Sequence, residues 1–460
     1  MGNKKNAWLK FDDTKKEEIF SFCEGYKKYI SDCKTERESI KEAISLAESK
    51  GYRDLKNVIS ARKSLKVGDK VYYNNMDKSL ALFLIGSESI ESGMRIIGSH
   101  VDSPRLDLKP NPLYEDSELS LMETHYYGGV KKYQWVTIPL ALHGVVVKKD
   151  GTKIDVVVGE EETDPVVMVS DLLVHLASEQ QQKKATEVIA GEDLNILVGS
   201  MPLEGEEKEA VKANILKLLK EKYDFEEEDF MSAEIEIVPA GKARDLGLDR
   251  SMVAGYGHDD RICAYTSLLA LLETESTKKT SVVLLVDKEE VGSIGATGMQ
   301  SRFFENAVAE LMDRVGEYSE LKLRRALANS KMLSSDVTAA FDPNYAGAYE
   351  KKNSAFFGKG LAFAKYTGAR GKSGCNDANA EFVAWLRNVM DENDVAYQMA
   401  ELGKVDQGGG GTIAYILAEY GMEVIDCGVA LQNMHAPWEV ASKVDIFETM
   451  RGYKAFLMAE

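Results

Sequence analysis

Apolar residues recur along the chain with two different periods, and each period predicts a different element. In residues 1 to about 66 they are spaced by three and four, as in IFSFCEGYKKYI, which predicts helices. Two later segments, MRIIGSHVDSP and SVVLLVDKEEVGS, begin with apolar runs that predict strands. Between residues 136 and 158, β-branched runs flank Lys149-Asp150-Gly151 and predict a β-hairpin.

Strands and helices alternate on both sides of a central stretch. The segment after MVAGYGHDDRI predicts a helix, CNDANAEFVAWLRNVM a helix with Asn376 as N-cap, EVIDCGV a strand and VDIFETMRGYKAFLMA a final helix. The central residues 165–230 are richer in helical pattern and in acidic residues, but their periodicity is weak. This order predicts one α/β domain from residues 1–105 and 253–460, interrupted by an inserted domain at 106–252.

Composition narrows the class of protein. The 460 residues carry a net charge of -18, which excludes a protein that binds nucleic acid through a basic face. The five cysteines are widely spaced, which disfavours disulfides and thiolate zinc sites. The chain opens with no signal peptide and contains no apolar run of membrane-spanning length. We therefore expect a cytoplasmic enzyme or binding protein that does not contact a membrane.

Charged residues stand where the predicted strands end, which is where α/β sheets form ligand clefts. His100 and Asp102 are two apart in an extended segment, so both side chains would lie on one face. A carboxylate so placed can orient an imidazole that binds a metal ion. The alternative is a simple turn, since Pro104 follows.

Glu289 and Glu290 follow a strand and precede a glycine turn. Neighbouring side chains there point in different directions, so one could bind a metal ion while the other acts as general base on a water molecule. In GHDDR, two carboxylates at a helix start usually serve as partners of the helix dipole. The alternative is that Asp259 or Asp260 bridges two cations.

Two further candidates are Asp336, after a predicted strand, and His435, in a loop near Trp438. A single histidine in such a place is usually structural, but all the candidates lie at strand ends or loops of one α/β pattern. Nitrogen and carboxylate ligands without sulfur suit zinc, manganese or cobalt.

Four segments, taken together, resemble the M18 family of aminopeptidases, the group of aspartyl aminopeptidase and aminopeptidase I. They are GSHVDSPRLDLKPNP, DKEEVGS, SSDVTAAFDPNY and VIDCGVALQNMHAPWE. The resemblance spans about residues 70–460, and the segments follow one another in the same order as in the family. The resemblance implies a zinc-exopeptidase-like mixed-sheet catalytic domain with an inserted β-rich dimerisation domain. It also implies a homo-oligomer built from dimers, commonly a tetrahedral dodecamer, acting on peptide substrates.

The resemblance also implies roles for single residues. The site would hold two divalent ions, with zinc as the first expectation and manganese or cobalt as alternatives. The ligands would be His100, Asp259, Glu290, Asp336 and His435. Asp259 would bridge the ions, Asp102 would orient His100, and Glu289 would be the general base. His175 matches a histidine of the inserted domain that binds substrate or an additional metal ion.

The sequence departs from the aspartyl members at one site. They carry a histidine three residues after the metal-binding aspartate, where this chain has Ala339. Lys365 corresponds to a residue that binds an acidic side chain of the substrate in those members. A neutral or broad N-terminal preference therefore stays open beside an acidic one. Two other functions also remain: a related dinuclear deacylase or carboxypeptidase, and a non-catalytic shell protein that assembles with itself.

Overall fold

The computed structural model describes residues 5–368 and 371–460. The chain divides into two compact units. The first unit contains the chain up to Asp102, then Ala243–Met434 and Glu439–Glu460. The second unit contains Ser103–Lys242 and His435–Trp438. The domain boundaries at residues 106 and 252 stay a prediction from the sequence.

Ten α-helices lie within the described residues. They are α1 (Asp13–Asp32), α2 (Glu36–Ser49), α3 (Leu55–Ser60), α4 (Ala210–Tyr223), α5 (His258–Leu272), α6 (Phe303–Arg314), α7 (Glu320–Ala328), α8 (Ala380–Glu392), α9 (Ala414–Ala418) and α10 (Lys443–Met458). Every helix except α4 belongs to the first unit. The start of α2 is fixed by a capping box, in which Thr35 and Glu38 each accept the other's backbone N–H.

A nine-stranded sheet forms the centre of the first unit. In spatial order it contains β1 (Arg53–Asp54), β2 (Lys70–Asn75), β3 (Ser79–Leu84), β14 (Ser281–Val286), β4 (Arg95–His100), β15 (Lys331–Ser335), β19 (Glu423–Gly428), β17 (Leu361–Ala364) and β18 (Tyr397–Met399). Strands β14, β4, β15 and β19 are mutually parallel. Their carboxyl ends therefore meet at one edge of the sheet.

Strand β14 explains why this sheet needs helices on both faces. All six of its residues are buried, and alternate side chains enter two different hydrophobic clusters. Val283 and Leu285 join one cluster, while Val282, Leu284 and Val286 join the other. A strand that is apolar on both faces is typical of a parallel sheet covered on both sides.

A second, five-stranded sheet in the first unit leads the chain to α5. In order it contains β12 (Arg244–Leu246), β13 (Met252–Gly255), β21 (Glu439–Ser442), β20 (Ala430–Gln432) and β16 (Thr338–Ala339). Strand β13 ends at Gly255, and α5 begins three residues later at His258.

The second unit is built on a seven-stranded sheet. In order it contains β8 (Lys153–Val158), β7 (Leu140–Val147), β11 (Ala233–Pro239), β5 (Arg105–Asp116), β6 (Leu119–Tyr127), β10 (Ile196–Gly199) and β9 (Met168–Val169). All the pairings in this sheet are antiparallel. The hairpin predicted around residues 149–151 is confirmed as β7 paired with β8.

One local expectation was wrong. Helix α8 follows Asn379 and not Asn376, whose side-chain amide instead donates to the carbonyl oxygen of Val424 at 2.6 Å. In the stretch 165–230, the only α-helix is α4 (Ala210–Tyr223). Leu172, Leu173 and Val174 are consecutive and exposed, so they provide no apolar stripe with helical spacing.

The described helices include none whose length and hydropathy would let it cross a membrane.

Leu285 tests the packing of the central strand. Because this side chain is fully buried, Leu285→Ala should lower the free energy of unfolding by about 2–5 kcal/mol, as measured by chemical denaturation. The control is Leu248→Ala, since Leu248 is fully exposed and its loss should change that free energy by less than about 0.5 kcal/mol. Equal effects of the two substitutions would contradict this description of the core.

Candidate metal centre

The parallel strands bring the candidate side chains to one edge of the nine-stranded sheet. His100 is the last residue of β4, and Asp336 follows directly after β15. Glu289 and Glu290 begin a single 3-10 turn, Glu289–Val291, three residues after β14. Because these three strands are neighbours and parallel, their ends lie side by side.

His100 is the centre of this group. Its Nε2 atom lies 3.2 Å from Asp259 Oδ1, 3.8 Å from Asp336 Oδ1 and 3.9 Å from Glu289 Oε2. Its Nδ1 atom lies 2.9 Å from the carbonyl oxygen of Asp102, which can only accept a hydrogen bond. In its neutral form the ring therefore carries its proton on Nδ1, and Nε2, on the side of the carboxylates, has the lone pair that a cation requires.

The carboxylate of Asp102 connects two elements of the site. One oxygen lies 3.3 Å from His100 Nδ1. The same oxygen accepts the backbone N–H of Glu289, and the other accepts that of Glu290, both at 3.2 Å. A fully buried side chain thus orients the imidazole and fixes the turn that presents both glutamates.

Asp259 and Asp260 precede the regular part of α5, with backbone angles outside the helical region and a cis peptide bond between them. The backbone N–H of Asp259 donates to Glu439 Oε2 at 3.0 Å. Asp260 Oδ2 accepts the backbone N–H of His100 at 3.3 Å. The first carboxylate therefore faces the imidazole ring, while the second supports its backbone.

Burial and mutual repulsion raise the pKa values of the carboxyl groups. Burial is the largest cause for Glu289, and Asp336, Asp102 and Asp259 add to it against His100, giving a pKa of about 8. Burial also raises the pKa of Asp336 above its usual value, although His100 opposes the rise. For His100 itself burial lowers the pKa, but hydrogen bonds to the neighbouring carboxylates outweigh it and raise the pKa well above its usual value.

This donor set fits divalent cations. His100, Asp260 and Asp336 each offer a ligand atom within 4.8 Å of the others, and so do His100, Glu289 and Glu290. The donors are an imidazole nitrogen and carboxylate oxygens, which are ligands of zinc and other divalent ions. A bound cation would relieve the repulsion that raises the carboxyl pKa values.

The other two predicted residues lie in the second unit. His435 Nδ1 lies 2.9 Å from the carbonyl oxygen of Gly129, which can only accept a hydrogen bond, so Nδ1 carries a ring proton. His175 is exposed in the apolar segment Leu172–Leu176. Their roles as a metal ligand and as a residue for substrate or additional metal stay predictions.

Comparison with known proteins identifies the family. Residues 29–457 match the model of the family described as aminopeptidase I zinc metalloprotease (M18). The chain belongs to the M18 family.

Close relatives of this M18 chain have the same length and fold. A probable M18 family aminopeptidase 1 of Clostridium acetobutylicum is 66% identical to this chain, and the alignment covers 98% of each protein. The probable M18 family aminopeptidase 1 of Thermotoga maritima is 46% identical, and the alignment covers 99% of this chain and 98% of the relative. The crystal structure of the Thermotoga maritima enzyme matches with a TM-score of 0.95 at 45% identity, covering 99% of each chain. The crystal structure of aminopeptidase I from Clostridium acetobutylicum matches with a TM-score of 0.93 at 65% sequence identity, again covering 99% of each chain.

These comparisons confirm the mixed α/β fold and the prediction that this M18 protein is a hydrolase of the metalloaminopeptidase class. The deacylase, carboxypeptidase and shell-protein alternatives are not favoured.

Sequence reasoning missed two supports of the M18 site. It predicted that Asp102 orients His100, but it did not predict that the Asp102 carboxylate also accepts hydrogen bonds from the backbone N–H groups of Glu289 and Glu290. It also gave no role to Glu439, whose carboxylate accepts the N–H of Asp259. Both contacts join residues about 180 positions apart, so no local pattern signals them.

Metal binding by this M18 protein should release protons. Because the pKa of Glu289 is about 8, this carboxyl group holds a proton at neutral pH that a cation must displace, and the raised pKa values of His100 and Asp336 act in the same direction. Affinity should therefore increase as the pH rises and level off once these groups are deprotonated.

Calorimetric titration with Mn²⁺ in two buffers of different ionisation enthalpy measures the number of protons released. A titration with no proton release and with an affinity independent of pH would contradict the raised pKa values.

Proposed function

We propose that this protein removes N-terminal amino acids from peptides at a site that holds two divalent ions, zinc first, with manganese or cobalt as alternatives. The proposed metal ligands are His100, Asp259, Glu290, Asp336 and His435, with Asp259 between the two ions. His435 is proposed from the resemblance of its sequence segment to the family.

Glu289 is the proposed general base. When bound, the divalent ions would supply Lewis acidity that lowers the pKa of a water molecule and polarises the scissile carbonyl group. Glu289 accepts a proton from that water on its carboxylate and then donates it to the leaving amine. A pKa of about 8 before metal binding suits a group that must both take and give a proton near neutral pH.

The observation that carries this proposal is the pairing of both glutamates with one buried carboxylate. Since Asp102 accepts the backbone N–H of Glu289 and of Glu290, the two side chains leave a rigid turn at fixed positions beside His100. A general base next to a metal ligand needs such fixed geometry.

The side-chain preference is proposed to be neutral or broad. Lys365 Nζ lies 3.0 Å from Asp377 Oδ1, and Lys372 Nζ lies 2.9 Å from Asp377 Oδ2. The lysine that matches an acid-reading residue therefore shares the carboxylate of Asp377 with Lys372, and Ala339 provides no charge.

The protein is also proposed to assemble with copies of itself and to act in the cytoplasm. A structural neighbour from yeast, 20% identical with a TM-score of 0.77, is described as a dodecamer. The exposed apolar segment Leu172–Leu176 is a candidate dimer contact. All five cysteines are free, as is typical of a reducing compartment. Peptides are the expected partners besides other copies of the chain.

A panel of aminoacyl-anilides tests the activity and its preference together. The protein is treated with a chelator and then restored with zinc, manganese or cobalt. We expect chelation to abolish release of the anilide, restoration to recover it, and uncharged N-terminal residues to be accepted. Hydrolysis of N-acyl-amino acids without hydrolysis of the anilides would overturn the proposal in favour of a deacylase.

Two substitutions separate the proposed roles. Glu289→Gln should keep bound metal but reduce kcat by on the order of a hundredfold or more, because the general base is lost. Asp259→Ala should lose bound metal, because the ligand between the ions is lost. Metal content by elemental analysis and steady-state kinetics measure both effects, and near-wild-type kcat in Glu289→Gln would reject its assignment as base.

A further inference from the structure

A buried histidine precedes Asp259 and belongs to neither the metal ligands nor the catalytic groups described above. His258 is fully buried at the start of α5. Its Nδ1 atom lies 2.5 Å from the hydroxyl oxygen of Tyr26, and its Nε2 atom lies 3.2 Å from the carbonyl oxygen of Val253. The two rings also stack, with centroids 5.6 Å apart and planes 28° from parallel.

The directions of these hydrogen bonds follow from the chemistry of the partners. In a neutral imidazole one ring nitrogen donates a hydrogen bond and the other accepts one. The Val253 carbonyl oxygen can only accept, which places the ring proton on Nε2. Nδ1 therefore accepts the hydroxyl proton of Tyr26, and both ring nitrogens are satisfied.

Two other residues at the start of α5, Asp259 and Arg261, also form hydrogen bonds that fix this segment. Arg261 is fully buried, and its guanidinium donates to the carbonyl oxygens of Lys34 and Tyr256. The N–H of Asp259 donates to Glu439. Of these contacts, only the one with Tyr26 links the residue next to Asp259 to a side chain of helix α1.

Tyr26 is itself fixed within α1. Its side chain is fully buried and packs on the ring of Tyr265 in α5, with centroids 5.5 Å apart. Its hydroxyl is thus a rigid donor, and the position of His258 cannot change without breaking this hydrogen bond.

We propose that Tyr26 is a positioning residue, which acts through His258 to hold Asp259 in the orientation that binds metal. This inference rests on the proposed role of Asp259 as a metal ligand. It assigns the N-terminal helix α1 a part in metal affinity, although none of the proposed ligands lies in that helix.

The test is Tyr26→Phe, which removes one hydroxyl and preserves the ring. The matched control is Tyr29→Phe: Tyr29 is also buried, lies one turn further along α1 and packs on the same Tyr265 ring at 5.0 Å. Among the described residues, the hydroxyl of Tyr29 makes no hydrogen bond to His258. Both variants are titrated with Zn²⁺ in competition with a chromophoric chelator, and the thermal unfolding of each metal-free protein is recorded.

We expect Tyr26→Phe to weaken Zn²⁺ binding roughly tenfold relative to Tyr29→Phe, the low end of the range for residues that orient metal ligands. Saturating metal should restore kcat. Equal Zn²⁺ affinities for Tyr26→Phe, Tyr29→Phe and the wild type would overturn the inference. Failure of the wild type to bind Zn²⁺ would instead overturn the proposed metal site, so the two failures are distinguishable.

A double-mutant cycle with His258→Leu keeps the inference testable if Tyr26→Phe alters general stability. If Tyr26 acts through the imidazole, adding Tyr26→Phe to His258→Leu should cause little further loss of Zn²⁺ affinity. An additive loss of about tenfold in that background would show that Tyr26 acts by another route, and the inference would fail.

Discussion

The architecture of the site depends on the buried carboxylate of Asp102. It lies against the imidazole of His100 and accepts two backbone N–H groups from the turn that carries Glu289 and Glu290. Strand β4 and the turn after β14 are thereby joined at the sheet edge by one side chain. Hydrogen bonds from backbone N–H groups satisfy both oxygen atoms of this side chain where solvent does not reach it. The parallel strands bring the groups near each other, and Asp102 fixes their orientation.

Such a site is unfavourable on electrostatic grounds until a cation binds. Glu289, Asp259 and Asp336 surround one imidazole, and burial together with like charge raises the pKa values of Glu289 and Asp336. The turn that carries Glu289 follows β14, which is buried along its whole length between β3 and β4. The same repulsion favours divalent cations, and the free energy of the site is coupled to their binding.

The sequence predicted the elements better than the contacts between them. Apolar runs such as residues 281–286 are strands, because a strand buried on both faces has an unbroken apolar pattern. The residues at strand ends were predicted to converge since parallel strands end at the same edge. The start of α8 was misplaced because the Asn376 amide bonds to Val424, a tertiary contact that overrides local capping. The contacts from Tyr26 to His258 and from Glu439 to Asp259 join distant residues, and spacing cannot reveal them.

The most direct test of the account is anomalous diffraction from crystals of the zinc-loaded protein, recorded on both sides of the zinc absorption edge. Two ions held by Asp259 should give two anomalous peaks roughly 3.5–4 Å apart, each about 2.0–2.2 Å from a carboxylate oxygen of Asp259. Asp102 should remain outside both coordination spheres and keep its hydrogen bonds to the glutamate turn. A single peak, or two peaks that leave Asp259 uncoordinated, would contradict it.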